Sequence, residues 1–182
     1  MTAAAEGDGA ETVRLFFALW PESAVRKQLG AWQKKLQQGV NSNAPRPWTL
    51  HLTLAFLGAT PIAQLDAAKD AAAGARGNQF DLLLDVAGFW PHNQIAWVGT
   101  STPPPTLQEL HSNLSTRLAD AGVKFDAKAF HPHVSLLRGV RNPKPEWPQA
   151  TVIWPVRDFV LVESTSGKFG SRYEIVARFP LK

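Results

Sequence analysis

The sequence predicts an α+β fold in which two related lobes line a central cleft. Short apolar runs of strand character alternate with longer segments whose apolar residues recur at helical spacing. The same series of strand, amphipathic helix, loop and motif strand occurs twice, and the motif histidines His51 and His133 are 82 residues apart (133 − 51 = 82). A chain of 182 residues that is 45% hydrophobic can bury one core, so we expect a single bilobal domain over residues 12–182.

The composition narrows the class of protein. Residues 1–11 are small and acidic and lack the features of a signal peptide, so we expect a disordered leader. No apolar run is long enough to span a bilayer. The chain has no cysteine, which excludes a disulfide framework and a thiol nucleophile and fits a reducing cytoplasm. The net charge of +4 suits an anionic partner such as nucleic acid.

The first repeat opens with the apolar run Val13–Leu19, which predicts a strand. Pro21 breaks this run, and apolar residues at helical spacing predict an amphipathic helix that begins near Pro21, because proline is favoured in a first turn. The prolines within residues 41–48 predict a loop. This loop leads into the first motif strand, Leu50–Leu57, which we expect Gly58 to end.

A second helix and a hairpin are predicted after the first motif strand. Thr60 and Pro61 suit the N-cap and first position of the helix, and Gly74 or Gly77 suits its end. The alternating residues Phe80–Phe89 then predict a strand, which pairs with the next strand along the chain across a short loop.

The second repeat begins with the strand Ile95–Val98. A capping-box pattern at Thr106 and Glu109, followed by leucines at helical spacing, predicts a third helix that ends at Gly122. The second motif strand follows at about His133–Leu137.

The C-terminal part of the chain predicts two further strands. One is Val152–Val162, interrupted at Pro155, and the other is Tyr173–Phe179. A loop over residues 167–172 joins them.

Each motif strand has a polar and an apolar face. In the first, period-two alternation places His51, Thr53 and Ala55 on one face, and Phe56 with the leucines on the other. A single histidine in a strand is more often a satisfied structural residue than a catalyst. Two copies in matching strands indicate a shared site, and the repeat predicts that they face each other across a cleft on a pseudo-twofold axis.

Two imidazoles and two hydroxyls suit the in-line hydrolysis of a phosphate ester. A neutral histidine can take a proton from water while a protonated one supplies a proton to the departing sugar oxygen, because the imidazole pKa lies near neutrality. The hydroxyls of Thr53 and Ser135 can donate hydrogen bonds to the non-bridging phosphate oxygens. This scheme requires no metal ion and no cofactor.

Several stretches of the chain carry a resemblance to a known family. They are RLFFAL at 14–19, HLTLAFLG at 51–58, FHPHVSLLR at 130–138, ES at 163–164, GSRY at 170–173 and FPL at 179–181. Together they resemble the two-histidine (2H) phosphoesterase superfamily, and within it the bacterial RNA 2′,3′-cyclic phosphodiesterases, also called LigT-like proteins or 2′-5′ RNA ligases. Ser135 stands where this family usually has threonine, which keeps the hydroxyl but loses the methyl group that fixes its rotamer.

The resemblance implies a bilobal 2H-phosphoesterase fold, with two pseudo-symmetric antiparallel sheets lining a central cleft and helices outside. It also implies metal-independent hydrolysis of a terminal 2′,3′-cyclic phosphate, on RNA ends or nucleotides, to a 2′-phosphate. The reverse reaction would join RNA through a 2′-5′ linkage. We expect a cytoplasmic monomer that binds no metal, no cofactor and no membrane.

We assign His133 as the proton acceptor that activates water and His51 as the proton donor to the 3′-oxygen, and the near symmetry leaves the opposite order open. Strict alternation puts Arg138 on the leucine side. The resemblance instead puts it near the phosphate, within reach if the strand ends or bulges after Leu137. The aromatic residues on or beside loops that could stack on an RNA base are Tyr173, which we assign to substrate binding, Trp48 and Phe169.

Two other functions remain open at this stage. A metal-dependent hydrolase could use His131 and His133, although the sequence offers no third ligand at a recognisable spacing. A non-catalytic nucleotide- or RNA-binding module could keep the same cleft as a pocket. The first would be inhibited by a chelator, and the second would bind nucleotides but leave the cyclic ester intact.

Overall fold

The structure of the chain, a computed structural model, describes residues 11–167 and 170–182, and the α+β prediction is confirmed. The described residues form nine β-strands and three α-helices. In chain order these are β1 (Thr12–Leu19), α1 (Ser23–Gln37), β2 (Leu52–Pro61), α2 (Leu65–Gly74), β3 (Phe80–Leu84), β4 (Val86–Trp90), β5 (Ile95–Gly99), α3 (Pro105–Asp120), β6 (His133–Leu137), β7 (Val152–Val156), β8 (Asp158–Gly167) and β9 (Gly170–Pro180). Apart from Glu11, the predicted leader lies outside the described residues.

One seven-stranded antiparallel sheet dominates the fold. Its order is β4-β5-β6-β2-β1-β8-β9, and β3 and β7 form a separate two-stranded sheet. The two motif strands, β2 and β6, are neighbours that pair at a single position, Leu52 with Val134. On either side of this seam lie β4-β5-β6 and β2-β1-β8-β9, which correspond to the two predicted lobes.

The seam coincides with a local twofold axis. Leu52 and Val134 each follow a motif histidine and are 82 residues apart (134 − 52 = 82), so equivalent residues of the two antiparallel strands face each other. The helices cross to the opposite lobe: α1 contacts β6 and β7, whereas α3 contacts β2 and α2. Each helix therefore supports the motif strand of the other repeat.

The core lies between the helices and the leucine-rich face of the large sheet. The helical spacing predicted for α1 is confirmed, because Val25, Leu29, Trp32 and Leu36 are buried. The four leucines of α3 that recur at helical spacing are buried as well. No helix in the described part of the chain is long and apolar enough to cross a membrane.

The structure corrects the predicted boundaries around the first motif strand. Helix α1 begins at Ser23, two residues after Pro21. Gly58 does not end β2, since the strand continues to Pro61. Gly58 instead lies at an irregularity within the strand, where its φ is +71° and the pairing with β1 shifts register. Thr60 is therefore a strand residue rather than an N-cap, and α2 begins only at Leu65, after a 3₁₀ turn.

Three later boundaries also differ from prediction. The run Phe80–Phe89 divides at Asp85 into β3 and β4, which belong to different sheets. Helix α3 begins at Pro105 with no side-chain cap, so Thr106 lies inside the helix. Pro155 lies within β7 rather than interrupting it, which an edge strand tolerates because one side of the strand needs no backbone donor.

Candidate active site

Both motif strands contain a β-bulge at the same place. In β2 the extra residue is Leu54, and in β6 it is Leu136, its equivalent 82 residues later (136 − 54 = 82). A bulge shifts the alternation of side chains by one residue. Two consecutive residues are therefore buried in each strand, and the next residue, Phe56 in β2 and Arg138 after β6, faces the cleft.

These bulges overturn one prediction and decide an open one. Ala55 does not share the face of His51, because it is 4% exposed and lies in the core. Phe56, predicted on the apolar side, lies on the side of His51 and lines a smaller pocket with it. Arg138 also lines the cleft, since the bulge returns its side chain to the side of the motif histidines.

The four predicted motif side chains come together on one face of the sheet. The pairing of Leu52 with Val134 sets His51 opposite Ser135 and Thr53 opposite His133. All four line a cavity of about 560 Å³, here called the central cleft. Each half-site, His51 with Thr53 and His133 with Ser135, thus lies across the twofold axis from the other.

A main-chain carbonyl holds each imidazole by the same nitrogen. His51 Nδ1 lies 2.7 Å from the carbonyl oxygen of Thr49, and His133 Nδ1 lies 2.6 Å from that of His131. A carbonyl oxygen can only accept a hydrogen bond, so Nδ1 carries the proton in both rings. The Nε2 atom of each neutral histidine is therefore the acceptor available for chemistry in the cleft.

Aromatic side chains enclose His51. Trp20 stacks on the imidazole with centroids 5.4 Å apart, and Phe16 and Tyr173 contact it at 4.8 and 5.4 Å. The pKa of His51 is lowered from 6.5 to about 4. Burial is the largest cause, the hydrogen bond to the Thr49 carbonyl opposes it, and the positive charge of Arg138 and the nearby His133 add to it. His51 is thus neutral at pH 7 in the free protein.

His133 has one close aromatic neighbour among the described residues. Trp90 makes a T-shaped contact with its imidazole at a centroid distance of 4.5 Å. Burial again lowers the pKa, as do Arg138 and His131, while the hydrogen bond to the His131 carbonyl raises it. The two half-sites are therefore equivalent in backbone geometry but differ in their aromatic surroundings.

Arg138 and Tyr173 connect the lobes at the cleft. The backbone of Arg138 exchanges two hydrogen bonds of 2.8 Å with Asn43, in the loop that precedes β2. Tyr173, on β9, meets His51 edge-on at 5.4 Å. Both side chains line the central cleft, together with the four motif side chains.

Sequence reasoning missed several residues of the cleft wall. Trp90 lines the central cleft and contacts His133, and Trp20 stacks on His51. Asp126 and Lys128, which form an ion pair of 3.0 Å, line the wall near His92. All of these residues lie in loops or at strand ends, where a periodic pattern gives no signal.

The remaining candidates do not gather at one site among the described residues. His131 lines the cleft, but the described residues contain no group of three His, Cys, Asp or Glu that could hold a metal ion. Trp48 is 58% exposed beneath the guanidinium of Arg46, and Phe169 lies outside the described residues.

The geometry of two facing His-x-Thr/Ser strands agrees with a known family. The family model described as the 2′-5′ RNA ligase superfamily matches residues 21–167, which include both motifs. The chain belongs to this superfamily.

Curated relatives match almost the full length of the chain. The RNA 2′,3′-cyclic phosphodiesterase of Escherichia coli (strain K12) is 32% identical over 177 residues, which are 94% of this chain and 98% of the relative. The RNA 2′,3′-cyclic phosphodiesterase of Thermus thermophilus is 28% identical and covers 93% of this chain and 91% of its own.

Solved structures of the superfamily have the same fold. Escherichia coli LigT in apo form superposes with a TM-score of 0.84 at 30% identity, covering 94% of this chain and 99% of LigT. LigT complexed with 3′-AMP superposes with a TM-score of 0.81 at 31% identity, with the same coverage. The bilobal arrangement of the motif strands is thus shared with these superfamily members.

Proposed function

We propose that this protein is an RNA 2′,3′-cyclic phosphodiesterase that hydrolyses a terminal 2′,3′-cyclic phosphate to a 2′-phosphate without a metal ion. The observation that carries the proposal is the pair of equivalent half-sites facing one cleft, each with an imidazole held through Nδ1. The names of the full-length relatives support it. Reversal of the same step would join RNA ends through a 2′-5′ linkage.

The histidines move the protons of the reaction. Nε2 of His133 takes a proton from water, whose oxygen forms the new bond to phosphorus. The bond between phosphorus and the 3′-oxygen breaks, and Nε2 of His51 supplies the proton that this oxygen needs. The phosphate remains on the 2′-oxygen. The negative phosphate adjoining His51 raises its pKa from the low value of the free protein, so the acid becomes protonated when substrate is bound.

Hydroxyl groups and a cation hold the phosphate. Thr53 and Ser135 lie opposite the histidines and donate hydrogen bonds to the non-bridging oxygens as their charge grows. Arg138 neutralises that charge from the cleft wall. Tyr173 packs on His51 in a T-shaped contact and positions the acid.

We propose nucleotides and RNA ends as partners and a monomer in the cytoplasm as the working form. LigT complexed with 3′-AMP, a nucleotide phosphate, supports the first assignment. The net charge of +4 favours a polyanionic substrate. The absence of cysteine from the sequence fits a reducing compartment.

The decisive experiment is turnover of a 2′,3′-cyclic nucleotide in EDTA, followed by ³¹P NMR. We expect a 2′-phosphate product, and a loss of about 100-fold or more in kcat for His51→Gln and for His133→Gln. The matched control is His131→Gln, which removes the side chain of a cleft-lining histidine but keeps the carbonyl that accepts from His133.

Each alternative gives a different result in this assay. Activity that EDTA abolishes and His131→Gln destroys would support the metal hydrolase. Binding of the cyclic nucleotide without turnover would support the non-catalytic module. Full activity in both motif-histidine variants would overturn the proposed mechanism.

A further inference from the structure

Two side pockets open from the central cleft between the lobes. One has a volume of about 370 Å³ and is lined by Arg14 and Phe56, and we call it the Arg14 pocket. His51, Thr53 and Arg138 line both this pocket and the central cleft. The other, of about 470 Å³, is lined by Arg46 and the loop before β2, and we call it the Arg46 pocket. Each is a candidate path for a nucleotide attached to the terminal one.

Arg14 lies over an aromatic ring at the first pocket. Its guanidinium lies over the ring of Phe56, 4.9 Å from the centroid. Phe56 faces the cleft only because the bulge at Leu54 reverses the alternation of β2. A guanidinium can pack on an aromatic ring and still present N–H donors, whose planar fork matches a phosphate.

The Arg14 pocket has the charge and hydrogen-bonding groups for an anion. Arg14 and Arg138 both line it, and no Asp or Glu does among the described residues. Within the same part of the chain neither arginine lies in a salt bridge. Ser164 and Ser171, from the hairpin of β8 and β9, add two hydroxyl donors. The pocket therefore combines two unpaired cations with an aromatic floor.

The position of this pocket relative to His51 indicates which anion it holds. Under the proposed function, His51 protonates the 3′-oxygen, so the ribose of the terminal nucleotide lies on the His51 side of the phosphorus. The same ribose carries, through its 5′-oxygen, the phosphodiester that links it to the rest of the RNA. Since the Arg14 pocket adjoins His51 and Thr53, it is the nearest opening for that linkage.

The Arg46 pocket fits this linkage less well. It includes neither His51 nor Thr53 and shares four lining residues with the central cleft, Pro45, Thr49, Arg138 and Tyr173. The guanidinium of Arg46 lies 5.5 Å from the ring of Trp48, which is largely exposed. Arg46 therefore serves as a reference cation with a similar aromatic partner but a different location.

We propose that the Arg14 pocket is a subsite for the nucleotide 5′ to the cyclic end, in which Arg14 binds the connecting phosphodiester. This inference rests on the proposed function and deepens it. The protein then prefers oligonucleotides that end in a cyclic phosphate over the corresponding mononucleotide. This preference for oligonucleotides depends on Arg14, which belongs to the first lobe and lies outside both histidine motifs.

The experiment compares kcat/KM for adenosine 2′,3′-cyclic phosphate with that for the ApA dinucleotide ending in a 2′,3′-cyclic phosphate. In wild type the ratio should favour the dinucleotide, and Arg14→Gln should lower this ratio about tenfold because one charge-assisted phosphate contact is lost. The matched control, Arg46→Gln, removes the same charge and should leave the ratio within about twofold, as for a surface change.

A second substrate isolates the charge of the linkage. In the dinucleotide with a neutral methylphosphonate linkage, Arg14→Gln should leave the ratio to the mononucleotide at its wild-type value. The proposal would be overturned if Arg46→Gln, rather than Arg14→Gln, abolished the preference for the dinucleotide. It would also be overturned if Arg14→Gln lowered the kcat/KM ratio equally for the charged and the neutral dinucleotide.

Calorimetric binding separates this proposal from the proposed function. The probes are adenosine 2′-phosphate and the ApA dinucleotide ending in a 2′-phosphate, neither of which needs turnover. Tighter binding of the dinucleotide that Arg14→Gln removes supports the subsite even if the cyclic ester is not hydrolysed. Equal binding of both probes to wild type would overturn the subsite, whatever the protein catalyses.

Discussion

The motif histidines share a geometry that fixes which nitrogen reacts. Each donates from Nδ1 to a carbonyl two residues earlier in the chain, so neither ring can turn over without losing that bond. The His-x-Thr/Ser spacing predicted the side-chain types and their common face, because a strand alternates strictly over three residues. The carbonyl partners were not predictable, since they depend on the backbone path just before each strand.

The low histidine pKa values predict an acidic optimum for kcat/KM. This quantity reports the free enzyme, in which burial lowers the pKa of His51 to about 4 and that of His133 below 6.5. The form with one protonated and one neutral histidine therefore declines as the pH rises above the pKa of His133, which is lowered from 6.5. We expect kcat/KM to be maximal below pH 6.5 and kcat, which reports the complex, to be maximal at higher pH.

Trp20 provides the control for this pH profile. Replacing it with alanine exposes His51 to water, which raises the pKa toward 6.5 because burial is the largest cause of the shift. The kcat/KM optimum of Trp20→Ala should move to higher pH. Optima at pH 7 or above in wild type, or a profile that Trp20→Ala leaves in place, would contradict the assignment of low pKa values.

Ser135 tests the role of the motif hydroxyls. Ser135→Ala removes one donor to the phosphate and should lower kcat by about 100-fold. Ser135→Thr retains the donor and adds the methyl group that restricts its rotamer, so its kcat should equal or exceed that of wild type. Steady-state kinetics on a cyclic nucleotide measure both, and equal activity of the alanine variant and wild type would remove Ser135 from the mechanism.

The two bulges explain which parts of the site the sequence could reveal. Alternation counted from His51 or His133 is valid as far as the hydroxyl residue and fails one position later, at Leu54 and Leu136. Leucine at these positions suits either a regular or a bulged strand, so the bulge cannot be predicted from the residue type. Phe56 and Arg138 were misassigned or left open for this one reason. The helices were easier to predict, because their apolar spacing extends over several turns.

Gly58 marks the second irregularity of β2 and gives a stability test. Its φ of +71° lies in the left-handed region, so Gly58→Ala should cost about 1–2 kcal/mol of unfolding free energy. The control is Gly30→Ala in the middle of α1, where an added Cβ meets nothing within 4 Å. That substitution should stabilise the protein by about 0.5–1 kcal/mol.

Urea denaturation of both variants measures these effects. The same chemical change should move the unfolding midpoint in opposite directions at the two sites. Destabilisation of the same size at Gly30 and Gly58 would indicate that the conformation of β2 is not the cause.

At the scale of the whole molecule, hydrogen bonds from each repeat to the other hold the two repeats together. Gln33 of α1, which is 5% exposed, donates from Nε2 to the carbonyl oxygens of Pro45 and Leu136, each at 2.9 Å. Leu136 is the bulge residue of the other lobe. On the opposite side the amide of Asp126 donates to the carbonyl of Phe56 at 2.8 Å. These hydrogen bonds connect the lobes where the motif strands themselves pair at a single position, Leu52 with Val134.

Gln33→Leu should weaken this connection. It keeps the side-chain volume but leaves two carbonyl oxygens without their donor, at a cost of about 1–3 kcal/mol of unfolding free energy. The control is Gln28→Leu, at an exposed position of the same helix, which should change stability by less than about 0.5 kcal/mol. Urea denaturation distinguishes the two, and equal stabilities would show that Gln33 does not join the lobes.

The near equivalence of the half-sites also has a consequence for successive turnovers. Under the proposed mechanism His51 begins protonated and ends neutral, whereas His133 begins neutral and ends protonated. The enzyme that releases product is therefore a different protonation isomer from the one that bound substrate, and it is ready only for the reverse reaction. Before the next hydrolysis it must exchange protons with solvent or buffer. At high substrate concentration and low buffer concentration this resetting step, rather than bond cleavage, can limit the rate.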